Sequence, residues 1–266
     1  MNRIDKKFQE LRDRGASAFM PYVCAGDPNP ELTSKLFLTL EEAGADLIEL
    51  GVPFSDPIAD GPTVQRASER ALTHNISLEQ ILAIVADLRP QTEIPIALMS
   101  YYNPIFRMGE EAFCKAAHEV GIDGLIVPDL PPEQAQSLLE IAPNYNLATI
   151  FMVAPTSTPE RMQLIASVST GFIYCVSVTG VTGARATWSD EVTPMVTELR
   201  KHTDKPISIG FGISTPEQTT QVAQIADGAI VASAIINAYE AHIDDEAKLL
   251  TTVRQFASEL AAGVKA

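Results

Sequence analysis

The sequence lacks long apolar runs and is poor in basic residues. No run reaches the roughly 18 apolar residues that a membrane-spanning helix needs. The 19 lysines and arginines stand against 34 aspartates and glutamates, which gives a net charge of −15. This charge argues against nucleic acid or an anionic membrane surface as a partner. An anionic substrate would have to be held by local donors, such as backbone N–H groups.

Cysteines and histidines are also few. The three cysteines, Cys24, Cys114 and Cys175, form no CxxC pair, and each lies in or beside an apolar stretch. We therefore expect reduced thiols buried by packing. The 4 histidines are scattered and never in ligand spacing, so no metal site is predicted. The N-terminal pattern is that of a charged amphipathic helix without the apolar segment of a secretory signal, which predicts a cytoplasmic protein.

Short runs of apolar and β-branched residues recur eight times along the chain. They are continuously apolar rather than alternating, as expected for parallel strands covered on both faces. Helix-like segments separate them, several of which begin with a polar cap followed by proline, as at Asn29-Pro30, Thr158-Pro159 and Thr215-Pro216. A further helix-like segment follows Pro131-Pro132. The runs are 18–23, 46–51, 95–101, 124–129, 148–153, 171–178, 206–210 and 228–233.

The alternation of these runs with helices predicts an α/β fold, a (β/α)8 TIM barrel with an extra N-terminal helix, in one domain over residues 1–266. A doubly wound open sheet has the same alternation and remains the alternative. The longest irregular stretches follow the second run (52–61) and the sixth (179–189). In a barrel both stretches are βα loops, which lie on the face that carries active sites.

Residues 46–63, DLIELGVPFSDPIADGPT, place an acid inside a buried strand pattern. Burying Glu49 is costly unless the side chain is paired, hydrogen-bonded or protonated, and acid–base chemistry is one reason to bury it. The loop that follows is rich in proline and glycine and carries Asp56 and Asp60, so it can bring a second carboxylate back over the first. A structural ion pair at Glu49, with aspartates that cap turns, fits the pattern equally well.

Three segments with small residues follow the last three runs: GVTG (180–183), GFG (210–212) and IVAS (230–233). Glycine lets backbone N–H groups approach an anion, and a short helix predicted near Ser233 would add its N-terminal dipole. A phosphate site after the seventh and eighth strands recurs in barrels. Ordinary turn glycines are the alternative.

The run LIELGVPFSDPIADGPTVQ resembles the signature segment of the tryptophan synthase alpha chain family. Other segments resemble that family in the same order, and the likeness extends from about Phe19 to about Ala234. The resemblance implies a TIM barrel that cleaves indole-3-glycerol phosphate to indole and glyceraldehyde 3-phosphate by a retro-aldol reaction. The further segments are PYVCAGDP (21–28), YYNPIF (101–106), VPDLPPEQ (127–134), GVTGAR (180–185) and GFGIST (210–215).

The resemblance also implies roles for individual residues. Glu49 matches the family's general acid–base, and Asp60 matches the aspartate that holds the indole nitrogen. Ala232, in the implied phosphate site, stands where the family more often has glycine. The phosphate-binding residues would be Gly183, Gly210, Gly212, Ala232 and Ser233. The indole pocket would include Thr182, which matches a threonine of the family's lid loop that contacts the catalytic acid region. Its other members would be strand-end residues that pattern alone assigns to the barrel core: Tyr22, Met99, Tyr101, Ile126, Met152, Tyr174, Phe211 and Ile230.

The family works as an α2β2 heterotetramer whose beta chain binds pyridoxal phosphate. The resemblance therefore implies a beta chain as partner and no cofactor in this chain. The implied docking surface consists of three loops, at 53–60, 103–108 and 129–134. Its residues would be Pro53, Asp56, Pro57, Asn103, Phe106, Asp129, Pro131 and Pro132.

Three other functions remain compatible with the sequence. A stand-alone indole-forming lyase would have the same catalytic residues without the docking role. A ligand-binding, partner-activating subunit without turnover is a second alternative, although it would not need both Glu49 and Asp60. Another phosphosugar barrel, such as an isomerase, is the third and would show no preference for an indole ring.

Overall fold

The sheet of the computed structural model closes into a barrel. The structure describes residues 1–176, 188–210 and 212–265, and of residues 188–191 only the backbone. Its parallel strands are hydrogen-bonded in the order β5-β4-β3-β2-β1-β9-β8-β7-β6. The strands are β1 (Ala18–Cys24), β2 (Ile48–Gly51), β3 (Ile96–Met99), β4 (Gly124–Ile126), β5 (Ala148–Ile150), β6 (Met152–Val153), β7 (Ile173–Val176), β8 (Ile207–Gly210) and β9 (Gly228–Val231).

The two ends of this sheet are pieces of one barrel strand. Only Phe151 separates β5 from β6, and its carbonyl accepts the N–H of Tyr174 at 3.1 Å. The nine pieces therefore occupy the eight strand positions of a (β/α)8 barrel, and all eight runs predicted from the sequence form them. The predicted TIM barrel is confirmed, and the open sheet is excluded.

Helices surround the barrel and close one of its ends. Within the described residues they are α1 (Arg3–Asp13), α2 (Pro30–Glu42), α3 (Pro62–Leu72), α4 (Leu78–Leu88), α5 (Tyr102–Met108), α6 (Glu110–Val120), α7 (Gln136–Ile141), α8 (Pro159–Val168), α9 (Trp188–Arg200), α10 (Pro216–Ala223), α11 (Ser233–Glu240) and α12 (Glu246–Val264). Short 3-10 turns occur at Arg89–Gln91, Pro132–Gln134 and Ala142–Tyr145. No helix of this described part is long and apolar enough to cross a membrane.

The predicted helix starts are confirmed at three positions. The side chains of Asn29, Thr158 and Thr215 each accept a backbone N–H of the first helical turn, and proline occupies the first position of each helix. Proline suits this position because its N–H would have no partner within the helix. The segment after Pro131 differs. Its 3-10 turn is separated from α7 by Ala135, whose backbone (φ −90°, ψ 7°) leaves the α-helical region, so the predicted helix begins later.

The N-terminal helix closes one end of the barrel. Its buried face contributes Ile4, Phe8 and Leu11 to the apolar cluster inside the barrel, and the rings of Phe8 and Phe172 lie 5.7 Å apart. The Asn2 side chain donates to the carbonyl of Asp123, at the start of β4, at 2.7 Å. Because α1 covers the ends where the strands begin, the opposite end, where the βα loops emerge, is left for a site.

The cysteines are all free and buried, as predicted. Cys24 and Cys175 lie in the layer between strands and helices, and Cys114 lies on the buried face of α6. Burial raises the pKa of all three thiols to about 12. They remain neutral packing groups at physiological pH.

Candidate active site

Glu49 projects into the barrel from β2. Ile48 and Leu50, on either side of it, belong to the outer layer between strands and helices. Because side chains alternate along a strand, Glu49 faces the opposite side, the barrel interior. The residue is hydrogen-bonded in register between Tyr22 of β1 and Ala97 of β3 and is only 2% exposed. A carboxylic acid therefore stands in an apolar interior.

The surroundings of Glu49 favour its protonated form. Burial, and then the nearby charge of Asp60, raise the pKa of Glu49 from 4.5 to about 8. Its Oε2 atom has no hydrogen-bond partner among the described residues, and no cation contributes to the pKa shift. The structural ion pair considered from the sequence is therefore not formed within the described part of the chain. At neutral pH Glu49 holds a proton that it can donate.

The loop between β2 and α3 brings Asp60 back over the barrel mouth. The N–H of Ala59 donates to the hydroxyl of Tyr101 at 2.9 Å, and the ring of Phe54 stacks on the same tyrosine with centroids 5.0 Å apart. Tyr101 follows β3, so the loop is attached to the neighbouring strand end. The structure thus places the two carboxylates close enough for the charge of Asp60 to raise the pKa of Glu49, which is one of the two arrangements that the loop composition allowed.

Asp60 differs from Glu49 in its degree of ionisation. Burial raises the pKa of Asp60 from 3.8 to about 6, and a hydrogen bond from Tyr101 acts in the opposite direction. At pH 7 Asp60 is therefore mostly a carboxylate while Glu49 is mostly a carboxylic acid. Two acids held in different protonation states can divide proton donation and charge stabilisation between them.

Two tyrosines lie across the strand ends beside this pair, each over a glycine. A Cβ atom on Gly51 would lie 2.0 Å from the hydroxyl of Tyr22, and one on Gly210 would lie 2.4 Å from the hydroxyl of Tyr174. Burial, followed by the charges of Glu49 and Asp60, raises the pKa of Tyr174, so its hydroxyl stays neutral. Gly210 thus has a packing reason to be glycine, separate from the phosphate role that the resemblance implies.

The remaining described members of the predicted indole pocket form an apolar wall. Ile126 and Ile230 are buried in the barrel interior, and Met99 and Met152 pack against the same cluster while half-buried. An apolar slot with a few polar groups suits a planar aromatic ligand. Thr182 and Phe211, the other predicted members, lie outside the described residues.

The predicted phosphate residues gather where β8 and β9 end. Gly212 has φ +75°, the left-handed region that favours glycine. Ser233 opens α11, and its N-cap residue Ala232 supplies no side-chain hydrogen bond. Among the other described helices, α2, α4, α8 and α10 begin with a capping side chain, whereas α3, α5, α6 and α7 do not. The start of α11 is thus one of several without a side-chain cap, and its first N–H groups can donate to a bound anion. Gly183 lies outside the described residues.

The predicted docking residues surround the same end of the barrel, with unequal exposure. Asp56, Asn103, Phe106 and Asp129 are exposed, and Pro57 and Pro131 are half-buried. Pro53 and Pro132 are buried, so these two shape the loops rather than offer surface. Asp129 also anchors a loop, because its side chain accepts the N–H of Tyr102 at 2.8 Å.

Sequence reasoning missed Ile58 on this surface. Ile58 is 84% exposed and Phe106 is 65% exposed, which is unusual for large apolar side chains. Ile58 lies in the same loop as Asp60, and its position in an otherwise proline-rich and acidic loop was the available signal. Both residues lie on loops of the predicted docking surface, which makes them candidates for a contact with a partner.

Comparison with known proteins supports one family throughout the chain. The family model described as "Tryptophan synthase alpha chain" matches residues 8–265. The tryptophan synthase alpha chain of Geobacter sp. (strain M21) is 48% identical over 264 residues, covering 99% of this chain and 98% of its own. That of Rippkaea orientalis is 50% identical over 237 residues, 89% of each chain.

Solved structures with a similar fold include chains of tryptophan synthase from two bacteria. Tryptophan synthase subunit alpha from Legionella pneumophila matches with a TM-score of 0.92 and 38% identity, covering 99% of this chain and 98% of that one. A chain of Mycobacterium tuberculosis tryptophan synthase matches with a TM-score of 0.91 and 37% identity, covering 100% of this chain and 99% of that one. Sequence and backbone thus point to the same relatives.

Proposed function

This chain belongs to the tryptophan synthase alpha chain family, and from that premise we propose that Glu49 and Asp60 carry out the family's reaction. The chain is a carbon–carbon lyase of tryptophan biosynthesis, which cleaves indole-3-glycerol phosphate to indole and glyceraldehyde 3-phosphate. The observation that carries the residue assignment is the position of the half-buried Asp60, held by its loop over the barrel mouth near the buried Glu49, where burial raises the pKa of Asp60 to about 6 and that of Glu49 to about 8.

The reaction begins with proton transfer to the indole ring. Glu49, protonated at neutral pH, donates its proton to C3 of the indole, which becomes an electron-accepting iminium. The Asp60 carboxylate accepts the N1–H of the ring and stabilises the positive charge that develops there. Within the apolar barrel this electrostatic interaction is stronger than it would be in water.

Cleavage then regenerates the acid. The Glu49 carboxylate removes the proton of the carbinol hydroxyl while the bond between C3 and the carbinol carbon breaks. The bonding electron pair returns to the ring and neutralises the iminium, which gives indole, and the carbinol becomes the aldehyde of glyceraldehyde 3-phosphate. Glu49 ends protonated, so one residue serves as acid and then as base.

The substrate's phosphate is proposed to bind at the start of α11. The uncapped N–H groups that follow Ala232, together with those near Gly212, supply donors without a lysine or arginine. This arrangement suits a protein of net charge −15, because the donors act locally at the helix N-terminus. The alanine at 232 keeps its N–H, so we expect the site to persist with slightly less room.

The family's alpha chain forms a complex with a beta chain, and this chain is the alpha subunit of that α2β2 assembly. We propose that the beta chain docks on the loops that carry Ile58, Phe106 and Asp129. We also propose that pyridoxal phosphate belongs to the beta chain and that this chain needs no cofactor. In the described part of the chain no group of three or more His, Cys, Asp or Glu could hold a metal. The metal-free and cytoplasmic assignments stay predictions.

Indole release from indole-3-glycerol phosphate tests this function. We expect weak release by the purified chain and release raised at least about tenfold by the beta chain, as for a coupled pair of sites. Phe106→Ser should reduce that activation because it removes an exposed apolar contact. Leu164→Ser, which changes a partly exposed apolar residue on α8, is the matched control and should leave activation intact.

Other outcomes of the same assay have distinct meanings. Vigorous release that the beta chain does not change would indicate a stand-alone lyase. Ligand binding without any release, even with the beta chain, would indicate a partner-activating subunit and would contradict the proposed roles of Glu49 and Asp60. Conversion of phosphosugars that lack an indole ring would indicate a different barrel enzyme.

The pH dependence of kcat/KM follows from the two acids. The active form has Glu49 protonated and Asp60 ionised, so activity should rise with pH near 6 as Asp60 loses its proton. It should fall near 8 as Glu49 loses its proton. A profile of kcat/KM between pH 5 and 9.5 should therefore be bell-shaped. Asp60→Asn should remove the acidic limb and keep the alkaline one; the persistence of both limbs would refute the assignment.

A further inference from the structure

A chain of ion pairs joins the helix after the Asp60 loop to the helix at the proposed phosphate site. Arg66 of α3 binds Glu240, at the end of α11, through two hydrogen bonds: Nε to Oε1 at 2.9 Å and Nη2 to Oε2 at 2.8 Å. Arg70, one turn further along α3, donates from Nη1 to Glu240 Oε1 at 2.6 Å. One carboxylate therefore holds two arginines of the neighbouring helix.

The same network is anchored inside the protein. Arg70 also donates to both oxygens of Asp27, from Nε at 2.7 Å and from Nη2 at 2.9 Å. Asp27 is fully buried (0% exposed) and follows β1, and the hydroxyl of Tyr239 donates to it as well. Removing a buried carboxylate from its partners is expensive, so this end of the network is rigid.

The two helices that this ion-pair network joins, α3 and α11, both begin at the proposed substrate site. Helix α3 begins two residues after Asp60, and Gln65 donates to the Asp60 carbonyl at 2.9 Å. Helix α11 begins at Ser233, where the phosphate is proposed to bind. The network thus fixes α3 against α11, and with them the two ends of the substrate site. The arginines hold the pKa of Glu240 at about 2, so the pairs persist across the working pH range.

We propose that Glu240 is a positioning residue, which sets the separation between the Asp60 end and the phosphate end of the site. The proposal rests on the proposed function, because it assumes a substrate with an indole at one end and a phosphate at the other. Engaging both ends at once requires the two half-sites at a matched distance. If α3 and α11 were held together less tightly, the indole half-site and the phosphate half-site would each still bind its own half of the substrate.

Glu240→Gln tests this inference in the complex with the beta chain. The substitution keeps the shape of the side chain, removes its charge and leaves the buried pair of Arg70 and Asp27 in place, so the fold should persist. We expect kcat/KM for indole-3-glycerol phosphate to fall about tenfold, mostly through KM. The dissociation constants of indole and of inorganic phosphate, measured separately, should stay within about twofold of the wild type.

The matched control is Glu246→Gln. Glu246 pairs with Lys35 at 2.5 Å in an exposed contact between α12 and α2, two helices that carry none of the proposed site residues, so all three measurements should be unchanged. Unchanged kinetics in Glu240→Gln would overturn the inference. So would a tenfold loss of phosphate affinity alone, or a fall in kcat without a change in KM. If the wild type itself fails to cleave the substrate, the proposed function fails instead.

Discussion

Glu49→Gln is expected to lower kcat for indole-3-glycerol phosphate cleavage by roughly 10³- to 10⁴-fold, the upper part of the range for a general acid–base. The amide has nearly the same size but can neither donate nor accept the transferred proton. Because Glu49 is proposed to act in both steps, first as acid and then as base, its loss affects each of them. Steady-state indole release with saturating beta chain measures the effect.

Binding measurements separate this loss of chemistry from a loss of structure. The affinity for indole should change by no more than about threefold, because an amide at this position still fills the space. Glu246→Gln, the same chemical change at an exposed position, should keep wild-type kcat. Retention of more than about one hundredth of the wild-type kcat by Glu49→Gln would exclude Glu49 as the acid–base.

The same substitution is expected to stabilise the folded protein at alkaline pH. The pKa of Glu49 is about 8 in the folded state against 4.5 as its ordinary value. Below pH 4.5 the carboxyl group is mostly protonated in both states, so ionisation contributes little to the free energy of unfolding. Between pH 4.5 and about pH 8, Glu49 is ionised in the unfolded chain but protonated in the folded protein. The free energy of unfolding therefore falls by about 1.4 kcal/mol per pH unit in this range. Above pH 8 the loss levels off at roughly 5 kcal/mol.

Glutamine does not ionise and avoids this cost. Urea unfolding should be measured for Glu49→Gln and for wild type at pH 5 and at pH 8.5. The free energies of unfolding of the two proteins should differ little at pH 5 and by several kcal/mol at pH 8.5. Glu246→Gln should show no such growth with pH. A gain of equal size at both pH values would mean that altered packing, and not ionisation, causes it. A stabilised but inactive variant would show that the site is kept at the expense of stability.

Much of the fold follows from local sequence. The eight apolar runs became the eight barrel strands because a parallel strand covered on both faces needs continuous apolar residues. The caps at Asn29, Thr158 and Thr215 were predictable because a capping side chain acts within three residues. After Pro131 the pattern was less informative, since Ala135 breaks the helix through its backbone angles and not through its side chain.

The site was only partly determined by sequence. Glu49 could be recognised because an acid inside an apolar strand pattern is unusual, and the resemblance to a family added Asp60. The anchoring of the Asp60 loop by Tyr101 could not be predicted, because Ala59 and Tyr101 are 42 positions apart. The exposure of Ile58 depends in the same way on which segments cover it.

The sequence by itself determined the strand and helix pattern, the acid within β2 and the small residues where the last strands end. Only the tertiary structure decided which acid holds a proton and which elements are tied together. The pKa values of Glu49 and Asp60 depend on the exclusion of water, and Arg70 meets Asp27 and Glu240 across 43 and 170 positions. Hydrogen bonds within a helical turn are short-range in sequence, whereas burial and ion pairing depend on distances that exist only after the barrel closes.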